Sequence, residues 1–196
     1  MTTTIKRDNP WHLGPGARKA IMVLHAIAGI GWMGVDVALF VLLTNARTTD
    51  DPALVASGFN AIAMIVPVAV PPLSLGVLLT GLLLGLGTRW GLVRYWWVLV
   101  KLALSLVMTV LVFTSLLPAI SGMTVLTATA LSADALRASL GPLPTMLMFP
   151  PVVSFTMLGI AALLSIFKPW QRTPWSREAR PAGSRGTISP RFVKER

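Results

Sequence analysis

The sequence predicts an all-α protein, a bundle of four transmembrane helices with both termini cytoplasmic. Three observations predict it. Hydrophobic residues make up 54% of the 196-residue chain and charged residues only 12%, about half the charged share of a soluble domain. The apolar residues fall into runs long enough to cross a bilayer, which takes about 20 residues in a helix. Basic residues gather on alternate connections between those runs, the asymmetry that sets orientation. Mean hydropathy is +0.72.

Residues 1–17 are polar, with Pro10, Gly14 and Pro15, and read as a cytoplasmic tail. The transmembrane domain is expected over 18–170. Ala20 to Leu43 is the first span, 24 residues behind Arg18 and Lys19. Its length and the lack of a small-residue cleavage site distinguish it from a secretory signal. Asp51 and Pro52 then form a helix start, a carboxylate cap with proline at the first helical position. The next apolar run, Ala53 to Gly87, is 35 residues long and holds Pro67, Pro71 and Pro72. Proline removes a donor and clashes with the preceding turn. The expectation is therefore an extra outer helix near 52–66, a break, and a second span over 68–86. Gly81 and Gly85 are spaced for close helix approach.

The stretch GTRWGLVRYWWVLVKLALS, Gly87 to Ser105, joins a short basic turn to an aromatic cluster and a lysine within an apolar run. It reads as the cytoplasmic turn into a third span over 95–117, ended by Pro118. Ser132 is placed to cap a short outer helix from Ala133 to Leu140. The fourth span is expected over 146–167 with a kink at Pro150 and Pro151. Residues 171–196 carry seven Arg or Lys among Pro, Gly and Ser and read as a disordered basic cytoplasmic tail.

With the N-terminus inside, 14 Lys and Arg fall on the inner side and two, Arg47 and Arg137, on the outer. Trp90, Trp96, Trp97 and Trp170 fall at the inner boundary, where an aromatic belt belongs. This distribution assigns the net charge of +10 to a membrane surface, with anionic lipid opposite the basic tail, and excludes nucleic acid as a partner. The expected location is the plasma membrane.

The two hairpins resemble each other. Arg18 precedes His25 by seven residues, as Arg94 precedes Lys101. Pro72 to Arg89 and Pro151 to Lys168 are both 17 residues. Two parallel copies would be related by an axis along the membrane normal.

Ionisable residues inside a span point to function. His25 and Asp36 are 11 apart on the first span, about 20° from eclipsed on a helix, with Gly29 and Trp32 on the same stripe. Lys101 is followed at four-residue steps by Ser105 and Thr109. The interior polar candidates are thus His25, Asp36, Lys101 and Ser105. At 1.5 Å per residue His25 and Lys101 both stand about 10 Å above the inner boundary, while Asp36 is about 16 Å further out. Lys101 then either faces His25 across the bundle or snorkels to the inner surface, and a direct Asp36–Lys101 salt bridge is not expected.

Two patterns carry no site. Gly29-Ile-Gly31-Trp-Met-Gly34 fits the dinucleotide fingerprint by letter, but that motif needs a preceding strand. Met146, Met148 and Met157 are apolar filler, so no metal site is expected. No nucleophile–base pair is visible, and the expected protein is not an enzyme.

LHAIAGIGWMGVD and LGLGTRWGLVRYWWVLVKLALS are similar to segments of small bacterial multi-pass integral-membrane proteins grouped as a domain of unknown function. The resemblance covers about residues 17–118 and rests most on the Trp-Trp-x-x-x-Lys pattern at Trp96, Trp97 and Lys101. It implies a four-helix plasma-membrane fold and carries no activity. Copper-resistance membrane proteins and cytochrome-like quinone oxidoreductases are more distant look-alikes. They use paired membrane histidines, whereas this chain has His25 alone in a span, against a bis-histidine haem within one subunit. Three readings remain: a small transporter or accessory membrane subunit, a haem-binding electron-transfer protein using His25, and a purely structural partner for another membrane protein. The partners implied are the bilayer and a second membrane protein or a second copy of the chain.

Overall fold

A computed structural model of the chain describes residues 13–87, 92, 95–121, 132–167 and 173. The described residues are helical with no strand, and four helices are long and apolar enough to cross a membrane. The protein is an all-α, multi-pass membrane protein. The first span is α1 (Pro15–Thr48) and the second α2 (Pro52–Leu86). The third runs through α3 (Trp96–Leu111), a π-helical turn (Val112–Leu116) and α4 (Leu117–Ser121). A short helix, α5 (Ala133–Ser139), leads to α6 (Leu143–Met146) and to α7 (Phe149–Phe167), which carries the fourth span. Helix α1 packs along α2, α2 against α3, α3 against α7, and α7 against α1. The four spans therefore close a ring. Residues 1–12 and, apart from Thr173, 168–196 lie outside the described residues, as do Arg89, Trp90 and Arg94; of the expected N-terminal tail, residues 15–17 already belong to α1.

The α1–α2 contact follows a repeating stripe. Ala28, Trp32, Asp36, Leu39, Leu43 and Ala46 are buried on α1, and Val55, Phe59, Ile62, Val66, Val70, Ser74 and Val77 on α2. These steps of three and four are the seam of a left-handed helix pair. Lipid tails are as apolar as these side chains, so close packing holds the seam rather than hydrophobic transfer. Gly58 and Gly76 make the approach possible: a Cβ would stand 3.0 Å from Ala46 Cβ at the first and 3.3 Å from Ala28 Cβ at the second. Outward, the same helices present Ile30, Met64 and Val68, the face owed to lipid.

Three boundaries differ from the expectation. Helix α1 is 34 residues long, extending past 20–43 at both ends. Apolarity marks the bilayer, not the helix end, and Thr44 and Thr48 keep the last turns intact by donating to Phe40 O at 2.8 Å and Thr44 O at 3.0 Å. The expected break at 66–68 does not occur: α2 is continuous for 35 residues through all three prolines. In lipid a backbone released from the helix finds no other partners, so helices there tolerate proline. Pro67 and Pro72 lie on the exposed side, away from the buried seam. The third span likewise passes Pro118 and is helical to Ser121, and the π turn ends two residues before that proline. There the Leu117 N–H reaches Val112 O, a wider turn of the kind that absorbs local ladder defects.

In the fourth span the discontinuity falls ahead of the prolines. Leu147 and Met148 separate α6 from α7, which begins at Phe149. Pro150 and Pro151 occupy the first turn of α7, where no N–H partner is required. Two expected caps are present. Asp51 Oδ1 accepts from Ala53 N at 2.8 Å, and Ser132 Oγ accepts from Ala135 N at 3.2 Å.

Helix α5 closes the end of the bundle where α1 terminates. The Arg137 guanidinium donates to Thr49 O at 2.7 Å and Ala46 O at 3.3 Å, and pairs with Asp134 at 2.7 Å. A cation on the last carbonyls of α1 satisfies acceptors that lack helical donors. Arg47 reaches the other way, to Pro144 O and Thr145 Oγ1, both at 3.1 Å. Arg137→Ala should lower unfolding free energy by about 1–3 kcal/mol, since two buried-side acceptors lose a charged donor. Asp134 is 92% exposed, so Asp134→Ala should cost under about 0.5 kcal/mol. Thermal unfolding in detergent separates the two.

Candidate functional site

Each of the four spans contributes a buried polar side chain: Asp36 from α1, Ser74 from α2, Thr109 from α3 and Ser154 from α7. His25, Thr80, Lys101, Ser105 and Ser165 add half-buried groups toward the Arg18 end of the bundle. The polar groups form three levels along the bundle.

The level nearest Arg18 holds His25 and Lys101. The His25 ring lies against α2 because position 81 is glycine; a Cβ there would stand 3.3 Å from His25 Cε1. Its Nδ1 is 2.8 Å from Thr80 Oγ1, and Thr80 in turn donates to Gly76 O. A hydroxyl has one proton. Given to Gly76 O, it leaves Thr80 as acceptor, which assigns the donor role to His25 Nδ1. Lys101 instead crosses to α7 and donates to Ser165 Oγ, whose own proton goes to Ala161 O at 3.1 Å. The ammonium also stands 5.8 Å from the centroid of the Trp97 ring, within cation–π range. Ser165 is in the last turn of α7, where helix carbonyls favour a cation.

Both residues face one cavity of about 540 Å³ between the spans, which also meets Arg18, Gly81, Ser105 and Ser165. Its remaining lining is apolar, from Met22, Met33, Leu84, Leu102, Leu158 and their neighbours, and no acidic side chain among the described residues reaches it. His25 and Lys101 thus share a compartment as their depths implied. Each is hydrogen-bonded to a different helix, and none of the hydrogen bonds among the described residues joins them. Gly85 does not act with Gly81 as a helix-approach pair; it faces Leu92 of the turn.

The middle level joins α2 and α3. Thr109 Oγ1 donates to Ser105 O at 2.8 Å and lies 3.5 Å from Ser74 O, while Ser74 Oγ donates to Pro71 O at 2.9 Å. The third level holds Asp36, 3% exposed, with the Ser154 hydroxyl of α7 beside its carboxyl. The structure places Asp36 and Lys101 on separate levels, and the ion pair among the described residues is Arg137–Asp134.

Thr80, Ser165, Ser74 and Ser154 were not among the candidates read from sequence. Lone hydroxyls in apolar helices commonly bond their own preceding turn, and nothing in the linear pattern says which also meet a neighbour. Ser74 and Ser154 do share a signal, each three residues after a proline, at Pro71 and Pro151. The hairpin likeness does not extend to the partners of His25 and Lys101, which sit at unrelated positions of α2 and α7. Among the described residues, no group of three or more His, Cys, Asp or Glu is placed to hold a metal ion. No protein-family model, curated protein or solved structure matches the chain.

Proposed function

We propose that the protein is a small transporter whose cavity between the spans binds amphipathic organic anions. One observation carries this reading: among the described residues the cavity combines apolar walls with Arg18, His25 and Lys101 and has no acidic lining residue. Its volume of about 540 Å³ lies inside the ~300–1,000 Å³ range of small-molecule sites. A ligand with a carboxylate head and a short apolar tail matches it, the head meeting the Lys101 ammonium and the tail the Leu and Met walls. The test is binding of a dansyl-labelled undecanoic acid to the purified full chain, compared with the corresponding alcohol and amine. The acid should bind at least tenfold more tightly than either. Equal binding of acid and amine would overturn the assignment.

The reading includes a bacterial plasma membrane with both termini cytoplasmic, supported by the 14-to-2 division of basic residues. The cavity then opens toward the cytoplasmic half. Reporter fusions after Thr49 and near Ala138 should report outside, and one after Arg177 inside. An inside signal at Thr49 would remove the span count on which the orientation rests.

A second reading, a haem-bearing electron-transfer protein, draws on one feature. His25 Nδ1 is the donor toward Thr80, and a ligand histidine is commonly oriented by such a bond from its other nitrogen. A second axial ligand would have to come from outside the set of membrane histidines, for example from another subunit. A visible spectrum of protein expressed with ample haem separates the readings, because a Soret band belongs only to this one.

A further inference from the structure

The Asp36 carboxyl is the part of the interior that the cavity reading does not use. Its Oδ2 is buried and has no hydrogen-bond partner. The Ser154 hydroxyl stands beside the group, and its alternative acceptor, Pro151 O, is 3.5 Å away. No cation among the described residues pairs with it. The packed spans α2, α3 and α7 bring no titratable side chain to its level. Lys101 on α3 and His25 on α1 lie at the cavity level, and His25 is 11 residues away along α1. Arg47 is 11 residues away in the other direction. Each separation is about 16 Å of helical rise. Arg47 and Arg137 are also committed to carbonyls at the bundle end.

An ionised carboxylate left unpaired in such a place costs far more than a neutral one. A metal cation would require a fuller oxygen shell than one carboxyl and one hydroxyl provide. A proton requires only the carboxyl itself, and the protonated group can also donate to a nearby oxygen. We infer that Asp36 is an intramembrane proton-binding site, with the Ser154 hydroxyl beside it. This inference does not depend on which ligand the cavity takes.

The test is infrared spectroscopy of the full chain in ester-free detergent, wild type against Asp36→Asn. The chain has seven Asp and Glu, so the band is assigned by difference between wild type and Asp36→Asn, both at about pH 6. At that pH wild type should show the C=O stretch of one protonated carboxyl per chain. The band should shift in heavy water and be missing in Asp36→Asn. Ser154→Ala should keep the band and move it to higher frequency, as expected when a hydrogen bond to the group is lost. If Asp36→Asn does not fold, the wild-type band and its loss on raising the pH decide the matter alone. Absence of a protonated-carboxyl band in wild type at about pH 6 would overturn the proposal, and so would a band that survives in a folded Asp36→Asn. Neither result bears on binding of the labelled acid in the cavity.

Discussion

Replacing Trp32 with alanine should lower the unfolding free energy by about 3–5 kcal/mol, the usual cost of removing a large aromatic side chain from a packed interior. Trp32 is 2% exposed and sits on the α1 stripe between the cavity level and Asp36. Its indole occupies space inside a ring of four helices, and the neighbours on α1 and α2 are held by a seam that leaves little freedom to collapse. Lipid tails cannot enter to compensate. Ile30, two residues away, is 71% exposed and faces outward, so Ile30→Ala should change stability by less than about 0.5 kcal/mol. Unfolding in a graded series of mixed detergent micelles would compare them. Equal losses would mean that the bundle is not packed around α1 as described.

Lys101→Met should reduce binding of the labelled undecanoic acid by about 10- to 100-fold and leave the alcohol unchanged. A hydrogen bond to a charged group is worth about 1.5–3 kcal/mol, and each 1.4 kcal/mol is tenfold. Methionine keeps the length and apolar stem of lysine, so the cavity shape is preserved and only the ammonium is lost. Stability should hold or rise, because a lysine within a span carries an insertion cost of about 2.5–3.5 kcal/mol. That opposite sign separates a lost ligand contact from a damaged fold. Ser165→Ala should weaken acid binding less, since Ser165 orients the ammonium rather than supplying the charge. In a double-mutant cycle Lys101 and Ser165 should couple, whereas Lys101 and His25 should show a smaller term, having no hydrogen bond between them. Unchanged acid binding in Lys101→Met would leave the cavity without its anion-binding group.

The linear pattern determined the spans and misjudged where some of them end. Apolar runs report what faces lipid, so four spans and the all-α class follow from composition and period. The caps at Asp51 and Ser132 were equally legible, because capping depends on residues two or three apart. The effects of Pro67, Pro71, Pro72 and Pro118 were not. A proline rule drawn from water assumes that a broken helix can find other partners, and in a bilayer it cannot.

The interior divides the same way. Sequence named His25, Asp36, Lys101 and Ser105 because charge and hydroxyl at helical spacing are visible in one dimension, and helical rise alone put His25 and Lys101 at one depth and Asp36 at another. Which helix each would meet depended on the order of spans around the ring and on their rotation. Those are set by small residues at the seam, such as Gly58, Gly76 and Gly81, whose partners Ala46, Ala28 and His25 are distant in sequence. Only the tertiary structure could therefore turn His25 to Thr80, carry Lys101 to Ser165 and leave Asp36 beside Ser154 with one oxygen unpartnered.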